Sequence, residues 1–109
     1  MSGAVLKIKD RPTFTLEVGI PLPDGTSFHD ITVSFRHKTK RELEEFVTGD
    51  AAKTRPDVDS IMEIVEGWSG LDGEFNRENV TELLQNYHGA ARAIVAAYTT
   101  KLSAVRLKN

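Results

Sequence analysis

Cysteine is absent from the 109 residues. That excludes disulfides, thiol catalysis and zinc held by thiolates. No apolar run approaches the about 20 residues a bilayer-spanning helix needs. Residues 1–10 lack the apolar stretch of a secretory signal. Gly67, Gly70 and Gly73 come with neither the lysine nor the preceding strand that a phosphate-binding loop requires. The three histidines, His29, His37 and His88, fall in no HExxH spacing, and no GxSxG nucleophile elbow occurs. Repeats and low-complexity tracts are missing as well. A net charge of −2 excludes a globally basic nucleic-acid binder. What remains is a small domain of ordinary composition, 39% hydrophobic and 28% charged. One domain over residues 1–109 is expected, with residues 1–11 as a disordered lead-in, a hairpin over 12–37 and helices over 38–109.

Strand patterning comes first along the chain. Phe14, Leu16, Val18 and Ile20 alternate with polar or small residues, as do Ile31, Val33 and Phe35. Between them, Pro23-Asp24-Gly25 is a turn signal. An antiparallel β-hairpin over 12–37 follows, one face apolar and in need of a partner layer.

Helical patterning fills residues 38–109. Thr39 and Glu42 form a capping box, and Leu43, Phe46 and Val47 make a stripe that stops at Gly49. Residues 50–55 read as a loop. Val58, Ile61, Met62, Val65 and Trp68 share helical spacing, bracketed by Gly67 and Gly70. Phe75 precedes an Asn76 N-cap, and Val80 completes a hydrophobic staple. Val80, Leu83, Leu84 and Tyr87 continue that stripe, which His88-Gly89 interrupts. An alanine-rich stretch from Ala90 to Val105 makes the longest helix, with Lys101, Arg106 and Lys108 complementing its dipole. The fold class is α+β: an N-terminal antiparallel hairpin, then about four helices, the last long and alanine-rich.

Charge is segregated. Residues 57–82 sum to −7 and residues 83–109 to +4. Solvated helix faces account for this, but an acidic surface beside a basic helix also suits head-to-tail self-association or docking on a charged partner. Arg36, Lys38, Lys40 and Arg41 form a basic patch around His37. No interleaved aromatic residue offers base stacking, which argues against nucleic acid. Asp59 and Glu63, four apart on a helix, could hold a hard cation weakly; a solvated, acid-rich helix start is the commoner explanation. No metal site, cofactor or catalytic residue is expected. The large side chains of Phe46, Ile61, Met62, Trp68, Leu71, Phe75, Leu83, Tyr87 and Tyr98 exceed what a small core needs, and point to binding. Trp68 and Tyr98 are the type of residue that anchors interfaces, although each also suits a core.

One stretch is distinctive. Gly67-Trp68-Ser69-Gly70-Leu71-Asp72-Gly73-Glu74-Phe75-Asn76-Arg77-Glu78-Asn79 is followed by Leu83-Leu84-Gln85-Asn86-Tyr87-His88-Gly89-Ala90-Ala91-Arg92-Ala93-Ile94, then Ala97-Tyr98, and the chain closes on Leu102-Ser103-Ala104-Val105-Arg106-Leu107-Lys108-Asn109. Across residues 12–109 the sequence resembles small phage and prophage tail assembly chaperones. His88 departs from that pattern, which has proline there and would separate two helices sharply. The resemblance implies a non-enzymatic protein in the host cytoplasm. It would coat the tape-measure protein, yield to polymerising tail-tube protein and be absent from the finished virion. A client groove of Trp68, Leu71, Phe75, Ile94, Tyr98 and Leu102 is expected, in the helix-in-groove mode. The alternatives are a small tail or neck component retained in the particle, or a nucleic-acid-associated regulator using the basic 36–41 segment. Copies of the chain itself are a further candidate partner.

Overall fold

The computed structural model describes residues 5–103. Three strands and four α-helices follow the order β1 (Phe14–Pro21), β2 (Phe28–Phe35), α1 (Lys40–Thr48), α2 (Asp57–Ile64), β3 (Val65–Ser69), α3 (Arg77–Asn86) and α4 (Ala90–Ser103). The α+β class and the leading hairpin are as the patterning predicts. Residues 5–11 carry no helix or strand. The expectations for Val105, Arg106 and Lys108 lie outside the described residues.

The hairpin forms because alternation and turn chemistry agree. Val18 opposes Ile31 and Leu16 opposes Val33, so one face is continuously apolar. At the turn, the Asp24 carboxylate accepts the Thr26 and Ser27 backbone N–H groups at 2.9 and 2.8 Å. Hydrogen bonds from the Ser27 side chain and from those two amides hold its pKa below the ordinary value.

The third strand is a correction. Spacing predicts that the helix begun at Asp57 runs on to Trp68; instead it stops at Ile64, and Val65–Ser69 pairs antiparallel with β2. Val65 opposes Phe35 and Trp68 opposes Val33, while Glu66 has no partner and forms a bulge. Strict alternation would put Val65 and Trp68, three apart, on opposite faces. The bulge absorbs one residue and turns both toward the core. An i, i+3 pair on a bulged strand therefore mimics a helical one. A β-branched valine and a tryptophan around Gly67 favour the strand once β2 offers a free edge. A strand thus contains Gly67 and precedes Gly70 and Gly73; it is the missing lysine that excludes a phosphate loop.

Helices α2 and α4 cover the inner face of the sheet. Val33, Phe35, Ile61, Ile64, Val65, Val80, Ile94 and Tyr98 are its most deeply buried large residues. Phe14, Phe35 and Phe46 surround the Tyr98 ring, with centroids 5.9, 5.0 and 6.3 Å away. The Tyr98 hydroxyl donates to the Arg36 carbonyl at 2.8 Å. Burial, and then the charges of Glu42 and Glu63, push its pKa up to about 12.

Capping at α1 is as predicted. Thr39 Oγ1 accepts from the Glu42 amide, and Glu42 Oε1 accepts from the Thr39 amide. Residues 50–53 form a short 3-10 helix within the expected loop. The Asn76 side chain caps α3 by accepting the Asn79 amide at 2.7 Å. Helices α3 and α4 are separate, with a break at Tyr87–Gly89 despite the histidine at 88. Gly89 explains the break without proline: a β-carbon there would stand 2.9 Å from Pro21 Cγ, so the connection presses directly on the hairpin.

Candidate functional site

A cleft of about 450 Å³ opens where the hairpin turn, the segment after β3 and helix α3 converge. The hairpin contributes Ile20, Leu22, His29 and Ile31. Strand β3 and the following segment contribute Trp68, Leu71 and Asp72. Helix α3 contributes Asn79, Glu82, Leu83 and Asn86, and Tyr87 follows it. Those last residues fall at i, i+3, i+4, i+7 and i+8, a single helix face.

Local chemistry shapes the wall. Gly70 sits at φ +95°, a left-handed conformation that turns the chain sharply out of β3, and a β-carbon there would lie 3.4 Å from Ile31 Cα. Trp68 Nε1 donates to the Gly73 carbonyl at 2.8 Å and closes the turn. Phe75 meets the Trp68 ring edge-on, with centroids 5.3 Å apart at 81°. Asn79 Nδ2 ties α3 to the same loop through the Glu74 carbonyl at 2.8 Å. The floor is aliphatic and aromatic, while Asp72 and Glu82 supply a negative rim.

The expected groove residues divide here. Trp68 and Leu71 line the cleft, and Phe75 braces it through Trp68. Ile94 and Tyr98 do not belong to it; both are buried in the core, at 1% and 0% exposure. This corrects their expected surface role, and the reason is the sheet. The apolar face of the hairpin needs a cover, and α4 supplies it. Leu102 packs partly buried against the same core, on α4. Spacing missed the cleft contributions of Ile20, Leu22 and Tyr87, which come from opposite ends of the chain and meet only in the fold.

The charged candidates also have their places. Arg36, Lys40 and Arg41 are exposed, but Lys38 Nζ reaches Glu63 Oε2 at 2.6 Å and lies 5.2 Å from the Phe46 ring centroid. Asp59 pairs with Arg77. The two acids considered as a cation pair, Asp59 and Glu63, are therefore each engaged by a different base. Arg55, which no motif singled out, stacks 4.1 Å over Phe46 and donates to the Phe46 carbonyl at 2.7 Å and to Ser60 Oγ at 2.8 Å. It joins α1 to α2 as a structural clamp. No helix among the described residues is long and apolar enough to cross a membrane.

Geometry therefore defines a small α+β domain with a cleft that combines aliphatic and aromatic side chains with the acids Asp72 and Glu82; a second cavity of about 410 Å³ lies between α1, α2 and α4, lined by Phe46, Arg55 and Val95 among others. The family model for phage tail assembly chaperones matches residues 1–109, and the chain belongs to that family. Among curated proteins and among solved structures, nothing matches it.

Proposed function

We propose that this protein is a non-enzymatic chaperone that binds apolar helical segments of the tape-measure protein and keeps them soluble until the tail tube assembles. Family membership supports a role in tail assembly. The cleft supports the mode of binding: Leu22, Trp68, Leu71, Leu83 and Tyr87 line it together with the acids Asp72 and Glu82. An apolar helix flanked by lysine or arginine fits that chemistry, side chains seating in the floor and cations meeting the rim. In this reading Trp68, Leu71 and Phe75 carry the client contact, and Ile94, Tyr98 and Leu102 support it from the core. The basic residues Arg36, Lys40 and Arg41 lie outside the cleft and do not enter it. The protein acts in the host cytoplasm and leaves before the virion is complete, as tail-tube protein takes its place.

Co-expression tests this directly. Wild-type chain should keep a tape-measure protein in the soluble fraction. Leu71→Asp and Leu83→Asp, each placing a charge in the apolar floor, should lose most of that effect while circular dichroism stays helical. Equal solubilisation by wild type and both variants, or the protein's presence in purified virions, would overturn the proposal.

A further inference from the structure

The most exposed large apolar side chains among the described residues are not in the cleft. Val5, Leu6 and Ile8 stand 78%, 88% and 88% exposed, interleaved with Lys7 and Lys9. Three such side chains within four residues mark a contact segment rather than scattered surface. This arm has charged company. Arg11 Nη2 is tied to Glu42 Oε1 at 2.8 Å, which sets the base of the arm beside the first turn of α1. Arg36 leaves the sheet at the same end, directly after Phe35, the partner of Phe14. Lys40 and Arg41 open α1 there. Residues 5–11 sum to +2 and residues 36–41 to +4. Glu42 and Glu63 answer Arg11 and Lys38, while Lys7, Lys9, Arg36, Lys40 and Arg41 have no ion pair among the described residues. Of the other acids on the arm and α1, Glu45 turns its carboxylate toward Gly49, which leaves Asp10 and Glu44. The fold thus gathers, from two stretches of sequence, one end that is both cationic and apolar.

We propose that this end of the molecule docks on a bilayer surface rich in anionic lipid. Leu6 and Ile8 enter the headgroup boundary, and Lys7, Lys9, Arg36, Lys40 and Arg41 meet the lipid phosphates. Apolar side chains interleaved with lysines suit such a surface, because burial and charge attraction add there. The arm carries no helix or strand, and a fluid surface demands no fixed register of it. None of the five bases lines either of the two cavities, so they form no pocket for a single anion. Nucleic acid would answer the bases but leave Val5, Leu6 and Ile8 in water, and neither segment holds a phenylalanine, tyrosine or tryptophan for base stacking. The cleft lies at the other end of the hairpin, beyond the Ile20–His29 pair, six residues or about 20 Å from Phe14. Docking by the basic end therefore keeps Asp72 and Glu82 away from the like-charged surface and leaves the cleft open to solvent. The inference goes beyond client capture and does not rest on it.

Vesicle co-sedimentation of the full chain tests it. At low salt the chain should pellet with vesicles of phosphatidylglycerol and phosphatidylcholine in equal parts, stay in the supernatant with pure phosphatidylcholine, and be released as salt is raised. Leu6→Glu with Ile8→Glu, in side chains the fold does not use, should weaken binding by about tenfold or more. Lys40→Gln with Arg41→Gln should weaken it by about fivefold for each basic side chain removed. Leu71→Asp, in the cleft, should bind as wild type does; a loss there equal to that of the arm variant would place the contact in the cleft and overturn the proposal. A chain that ignores anionic vesicles at low salt also overturns it, as does equal binding to neutral vesicles or binding that survives the arm substitutions. Retention of duplex DNA without retention of anionic vesicles would assign the basic end to nucleic acid instead. The arm variant should still solubilise the tape-measure protein, so a failure of client binding and a failure of membrane docking are read separately.

Discussion

Tyr98 and Glu42 show how single residues acquire roles their neighbours assign. An amphipathic tyrosine on an alanine-rich helix suits an interface anchor. Here its ring is enclosed by Phe14, Phe35 and Phe46 and its hydroxyl is spent on the Arg36 carbonyl. Tyr98→Ala should cost about 3–5 kcal/mol in chemical denaturation, the range for emptying a buried aromatic site. Tyr98→Phe should cost about 1 kcal/mol, the net value of one hydrogen bond. Equal losses for the two would contradict this division between packing and hydrogen bonding. Glu42 is exposed, yet the Thr39 amide and then Arg11 hold its pKa down to about 2 from an ordinary 4.5. A depressed carboxylate stabilises the fold above its unfolded pKa and loses that contribution as pH falls through the folded one. The stability difference between wild type and Glu42→Gln should therefore be constant at neutral pH and shrink between about pH 4.5 and 2. A difference unchanged across that window would show that the capping box contributes nothing through charge.

Elements show the limit of periodicity. The hairpin and the N-caps of α1 and α3 were legible because each rests on contacts within a few residues. Strand β3 was not, because its reason is distant. Only the free edge of β2 makes Val65–Ser69 a strand, and only the unpaired Glu66 lets Val65 and Trp68 share the inner face. Deleting Glu66 should close the bulge: Val65 and Trp68 would then stand two apart on a regular strand and still share the inner face. Tryptophan emission should stay at the wild-type position and the cleft wall should persist. A red-shifted emission would show that the bulge itself sets the direction of Trp68.

At the scale of the whole molecule, near-neutral charge conceals separation. The segment summing to −7 supplies both rim acids, Asp72 and Glu82, and also Asp59, which pairs with Arg77 of the same segment, and Glu63, which pairs with Lys38. The acidic tract is thus partly internal scaffolding and partly the rim of the cleft. Sequence by itself determined the exclusion of thiol and phosphate-loop chemistry, the α+β order, the caps and the family resemblance, since all of these are carried by residue identity and short-range spacing. It also singled out Trp68 and Leu71. Tertiary structure decided the rest: that Ile94 and Tyr98 cover the sheet, that Val65–Ser69 completes it, and that Ile20, Leu22 and Tyr87 join Trp68 around one cleft. The physical reason is common to all three. Apolar residues at helical or strand spacing state only that a face must be buried. Which faces bury one another, and which apolar surface is left open for a partner, is settled by long-range pairing that no local window contains.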